Sequence, residues 1–117
     1  MVRLWRATIN SWNGLIFAIR SEQAIRQELF ALLLALALAR LVGATAARRV
    51  GLVVVVLLLL AIELLNTAIE KLADRLTTDH DPQIGHVKDV GSAAVGVALL
   101  IIALTWGSAI VERMGFL

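Results

Sequence analysis

The 117 residues allow one domain at most, and hydrophobic residues make up 60% of them, far above an ordinary soluble domain. Eleven Lys and Arg against nine Asp and Glu give a formal charge of +2, and no basic run exceeds two residues, so a nucleic-acid footprint is excluded. The chain has no cysteine, hence neither a disulfide frame nor a thiolate metal site. Basic residues flanking apolar runs read instead as topology determinants and headgroup contacts.

Taken in chain order, residues 3 to about 20 come first. Trp5, Ile9, Trp12, Ile16 and Ile19 fall on one helical face, with Arg3, Arg6, Asn10, Asn13 and Arg20 largely elsewhere. That pattern predicts an amphipathic helix lying in the membrane interface. No cleavable signal peptide is expected, because Arg3 and Arg6 are not followed by an unbroken apolar core. Residues 24 to 47 form the first predicted span, with Glu28 near its start and Arg40 interrupting it. The uncharged stretch between them falls short of the ~20 residues a bilayer requires, so Arg40 must snorkel to the far headgroups.

The second span covers residues 50 to 74, behind Arg48 and Arg49. It is apolar all round in its first half only. Thr77 to Gly85 reads as a polar loop containing Asp79, His80, Asp81 and Pro82. The third span runs from about 87 to 112, uncharged from Val90 to Val111 and closed by Glu112 and Arg113. Its first turns hold Gly91, Ser92, Ala93, Ala94 and Gly96, small residues that let helix backbones approach closely. Three spans place the N-terminus and the Thr77 loop on one side. Seven Lys and Arg fall there against four on the other, which predicts a cytoplasmic N-terminus. The expectation is a single all-α membrane unit over 1–117, with one surface helix and three transmembrane helices.

Chemistry concentrates where the second span ends. Glu63, Asn66, Thr67, Glu70 and Asp74 project within a stripe roughly 100° wide. The stripe runs about 16 Å along the helix axis, from inside the bilayer into the cytoplasm. Glu22, at the elbow before the first span, is expected at the depth of Glu70, and Lys88 and Asp89 at the same level. Two carboxylates and an amide suit Mg²⁺, a nearby lysine suits a phosphate, and a deeper carboxylate suits a base toward a hydroxyl. Phosphoryl transfer fits these parts. A small proton-coupled transporter using Glu63, or a structural subunit, fits the acid in the membrane as well. Glu28 falls on a different face from Glu22 and is expected as a headgroup-level ion-pair partner. His80 and His86 lack zinc spacing, and neither common phosphate-loop motif occurs.

The segment from Glu63 through Asn66, Thr67, Ala68, Ile69 and Glu70 to Asp74 closely resembles the signature of the small prokaryotic integral-membrane diacylglycerol kinases. The resemblance continues through Lys88, Asp89, Gly91, Ser92, Ala93 and Ala94. Upstream it includes Ser11, Trp12, Gly14 and Leu15, then Glu22, Arg26, Gln27 and Glu28. It implies a homotrimer in the bacterial inner membrane with active sites shared between subunits. The implied reaction is MgATP-dependent phosphorylation of diacylglycerol to phosphatidic acid. By motif position Glu63 would act as base, Asn66 would support the reacting centre and Lys88 would meet the ATP phosphates. Glu22 and Glu70 would hold the metal. Arg3, Asn10, Asp79, His80, Asp81 and Asp89 would complete the nucleotide contacts. Arg3, Trp12, Arg26, Gln27 and Ser92 would join Glu63 around the lipid substrate. A related branch phosphorylates undecaprenol, and the transporter is the rival from another class.

Overall fold

A single non-helical residue, Glu22, separates the first two helices of the chain. The computed structural model describes residues 1–77 and 79–116, which form α1 (Val2–Ser21), α2 (Gln23–Val42), α3 (Ala46–Leu76) and α4 (Pro82–Arg113). Glu22 is extended (φ −124°, ψ 118°), closing α1 through its N–H to the Ala18 carbonyl and opening α2. Arg26, one turn into α2, donates from Nη1 to the Ile19 carbonyl (2.8 Å) and the Arg20 carbonyl (3.2 Å). A cation thereby meets the otherwise unpaired carbonyls at the C-terminus of α1.

The boundary between α2 and α3 lies earlier than the sequence pattern suggests. Gly43 ends α2 in an extended conformation, and the Thr45 hydroxyl accepts from the Arg48 N–H at 3.1 Å. Thr45 is therefore an N-cap, and Ala46 and Ala47, expected at the end of the first span, begin α3 instead. The polar loop is likewise shorter than Thr77 to Gly85. Asp81 accepts from the N–H groups of Gln83 (2.9 Å) and Ile84 (3.4 Å), with Pro82 next in the first turn. This cap-plus-proline signal starts α4 at Pro82. Thr78, inside that loop, lies outside the described residues.

Two small cores hold the helices together. At one end Ala18 of α1, Ile25 of α2 and Leu60 of α3 pack with Ile19, Leu29 and Leu64. At the other, Ala39 of α2, Leu52 of α3 and Ala109 of α4 pack with Val42, Val53 and Trp106. The Trp106 indole N–H donates to the Leu52 carbonyl at 3.1 Å, giving the buried ring the partner it needs. Alanine at the crossings permits close approach, the contact mode of helices in lipid.

α3 and α4 are long and apolar enough to cross a membrane. Their most apolar stretches are only 28% and 11% buried within the chain, which leaves apolar surface for lipid or other subunits. The 20 residues of α2 extend about 30 Å, yet the helix carries Arg26, Glu28 and Arg40. α1 is exposed along its first three turns, with Trp5 and Trp12 facing outward.

Replacing Asp81 with Ala removes the only side-chain acceptor at the start of α4 among the described residues. The expected cost of about 1 kcal/mol corresponds to a roughly fivefold faster amide exchange at Gln83 and Ile84. Hydrogen-exchange mass spectrometry of the purified protein reads this directly, and unchanged exchange would remove the cap from the account.

Candidate functional site

The stripe on α3 divides among three neighbouring helices. Glu63 turns toward α2, where its carboxyl faces that of Glu28. Glu28 Oε2 is buried without a partner. The expected headgroup ion pair for Glu28 is not formed: among the described residues the ion pairs are Arg48–Glu112, Lys71–Glu22 and Lys88–Asp74. The reason is packing. Ile25 and Leu29 place this face of α2 against α3, so Glu28 meets an acid instead of the headgroups.

Asn66, one turn on, is the one buried polar residue among those described, at 8% exposure. Its Nδ2 donates to Glu70 Oε1 at 3.2 Å, while its Oδ1 is buried without a hydrogen-bond partner. Gly91 of α4 lies directly against that oxygen, and a Cβ on Gly91 would overlap it. An orphaned amide oxygen costs on the order of 1–3 kcal/mol. Thr67 faces α1 and, with Gly14, Phe17, Ala18, Leu64 and Lys71, lines a groove of about 480 Å³, within the size range of ligand sites.

At the polar end, Lys71 reaches back to the elbow and pairs with Glu22 at 2.9 Å, its Nζ also lying 5.3 Å from the centre of the Phe17 ring. With side-chain exposures of 42% and 31%, this pair contributes less than about 1 kcal/mol. Its effect is positional, bringing Glu22 to the turn of α3 that carries Glu70. Asp74 contacts Lys88 of α4. Both line a cavity of about 170 Å³ with Thr77, Asp79, His80 and Asp81. That volume is below the ~300 Å³ of a typical ligand pocket, so a single chain does not enclose a nucleotide there.

Over residues 9–110 the chain matches the sequence profile described as prokaryotic diacylglycerol kinase. It belongs to that family. Among its relatives, the diacylglycerol kinase of Escherichia coli (strain K12) is 40% identical over 104 residues, covering 89% of this chain and 85% of the relative. That of Pseudomonas aeruginosa is 38% identical over 106 residues (91% and 86%). The Haemophilus influenzae enzyme is 36% identical over 107 residues (92% and 91%). The chain is thus a lipid kinase by family, and the membrane-capable α3 and α4 agree with an enzyme working on lipid.

As a diacylglycerol kinase family member, the chain brings some expected residues together and leaves others apart. Lys71 pairs with Glu22, Asn66 pairs with Glu70, and Lys88 meets the end of the stripe through Asp74. Arg26 is engaged with α1 carbonyls, and Asp81 caps α4. Arg3, Asn10, Trp12, Gln27, Asp89 and Ser92 are exposed in the single chain. The sequence pointed to close helix approach at Gly91 but not to Asn66 as what it approaches, nor to Glu22 as the partner of Lys71, because each pairing joins residues far apart in the chain.

Glu22 and Glu70 are carboxylates of the kind magnesium takes. Among the described residues no three His, Cys, Asp or Glu side chains converge, so there is no protein-only cage. Mg²⁺ needs none, since it takes one or two carboxylates together with substrate phosphates and water. Glu22 commits Oε1 to Lys71, and Glu70 commits Oε1 to Asn66, which leaves the second oxygen of each for a cation.

Gly91→Ala should displace Asn66 and lower lipid phosphorylation about 100-fold, the scale of an ångström-sized misplacement in a reacting site. Gly96→Ala, where an added Cβ meets nothing within 4 Å, should keep normal turnover. Initial rates for the two variants in matched detergent check the contrast, and equal rates would separate Gly91 from the site.

Proposed function

We propose that this chain is an ATP-dependent diacylglycerol kinase of the bacterial inner membrane. It crosses the bilayer with α2, α3 and α4, keeps its N-terminus in the cytoplasm, and works as a homotrimer. The observation that carries the reading is the two-ended site on α3 in a chain of this family. Glu63 is half-buried against α2, whereas Glu70 is exposed about 10 Å further along the axis. One helix thereby addresses a hydroxyl in the lipid and a polyphosphate in the cytoplasm.

The lipid approaches through the groove between α1 and α3, with its hydroxyl directed to Glu63. Glu63 accepts the hydroxyl proton as the lipid oxygen bonds to the γ-phosphorus. The bond from that phosphorus to the β,γ-bridging oxygen breaks, and ADP leaves with the electron pair, giving phosphatidic acid. Asn66 holds Glu70 in place through its amide N–H. Lys88, steered by Asp74, places positive charge at the phosphates, where a lysine acts as a point charge. Magnesium, held by Glu22 and Glu70, supplies charge neutralisation on the phosphates when bound.

Arg3 and Asn10 close over the nucleotide, with Asp79, His80, Asp81 and Asp89 around its ribose and base. Trp12, Arg26, Gln27 and Ser92 flank the lipid. The small single-chain cavity beside Lys88 supports a shared site, because a second subunit must supply the remaining walls. Seven cationic residues on the proposed cytoplasmic side against four opposite support the orientation.

The decisive assay offers diacylglycerol and undecaprenol separately to the purified protein with labelled ATP. Label should enter diacylglycerol in a Mg²⁺-dependent manner. Preferential labelling of undecaprenol would assign the chain to the related branch, and no transfer to either lipid would defeat the kinase reading. Glu63→Gln should lower the rate by about 100-fold or more, the range of general-base contributions, with ATP binding retained. Full turnover in that variant removes Glu63 from the base role.

A further inference from the structure

The end of the α2–α3 hairpin remote from Glu63 carries a feature that phosphoryl transfer does not use. A groove of about 880 Å³ runs between the two helices, walled by Leu36 of α2 and by Val50, Val53 and Leu57 of α3. Arg40 and Arg49 line the same groove, and none of its lining residues is acidic. Their neighbour Arg48 makes the contrast plain: it donates to Ser108 Oγ at 2.8 Å and lies 3.7 Å from Glu112. Neither Arg40 nor Arg49 joins an ion pair among the described residues.

Arg49 is also held in place. Its Nε donates to the Gly43 carbonyl at 3.0 Å. Gly43 is buried, and a Cβ there would come within 2.6 Å of Arg49 Cγ, so the bare glycine lets the arginine stem cross the turn. The terminal guanidinium nitrogens of Arg49 remain for another acceptor. Arg40 stands in the last turn of α2, on the other wall of the groove. Arginine offers phosphate a planar fork of donors. An unneutralised cation beside hydrocarbon is costly unless it finds a counter-charge or reaches the headgroups.

We propose that this groove binds an anionic phospholipid of the leaflet opposite Glu63. One acyl chain lies along Leu36, Val53 and Leu57, and the phosphate sits between Arg40 and Arg49. Charge complementarity selects the occupant: two cations with no acid between them favour a net-negative headgroup over a zwitterionic one, whose own cation would be repelled. The site rests on α2 and α3 crossing the bilayer and is independent of Glu63 acting as base.

Native mass spectrometry of the full-length protein, titrated in detergent with phosphatidylglycerol or phosphatidylcholine and without ATP, tests the proposal. Wild type should retain phosphatidylglycerol in clear preference. Arg40→Gln should weaken that retention about fivefold, the size of one basic headgroup contact. Arg40→Gln with Arg49→Gln should weaken it roughly 25-fold if the contacts add, and Arg113→Gln should leave it unchanged. Because Arg40 joins no ion pair among the described residues, its single variant tests the site without disturbing packing. Equal retention of the two lipids by wild type, or undiminished retention by Arg40→Gln, overturns the proposal. So does a change in subunit number with lipid retention intact, which would make the groove a protein interface. A phosphorylation assay on the same samples separates these outcomes from any failure of the kinase reading.

Discussion

The contact between the Asn66 amide and the bare backbone of Gly91 fixes how closely α3 and α4 approach at the level of the site. Everything polar near it depends on that spacing. Asn66 reaches Glu70 along its own helix, and Glu70 is followed by Lys71, which holds the elbow through Glu22. Across the same crossing, Asp74 contacts Lys88 one turn further toward the loop. A methyl group at position 91 would therefore act on the α3–α4 crossing through one oxygen atom.

The antiparallel α3–α4 pair gives the molecule two unlike ends. At the end with Gly91 the contacts are short, polar and partly exposed, and they involve groups suited to phosphate and metal. At the other end Arg48 joins Ser108 and Glu112 on α4, while Trp106 donates to the Leu52 carbonyl above a core of Leu52, Ala39 and Ala109. Exposed ion pairs contribute little to stability. Cohesion within the chain comes from the apolar crossings. This division lets the polar end exchange partners without loosening the bundle.

Helix number and order were legible in the sequence because hydrophobic period and length survive without tertiary information. Helix ends were less so. Thr45 and Asp81 are ordinary caps, but the apolar run hid the first and the polar loop hid the second. The α3 stripe was legible as a set of acids and an amide on one face. Its division among α1, α2 and α4 was not, because it depends on which helix lies against each position. Glu28 is the clearest case. Its face relative to Glu22 could be computed from helical geometry, but α2 packs on α3 through Ile25 and Leu29, and that contact decides what Glu28 meets. The partner of Lys71 was hidden for the same reason, being on a distant elbow.

Glu22 has one more consequence. A linker of a single extended residue, pinned by Arg26 on one side and Lys71 on the other, cannot absorb motion as a flexible tether does. Rotation of α1 must turn Glu22 with it. In the proposed arrangement, with Trp5 and Trp12 at headgroup level, the height of the bilayer surface would be a mechanical coordinate of Glu22, set by the membrane as much as by the protein.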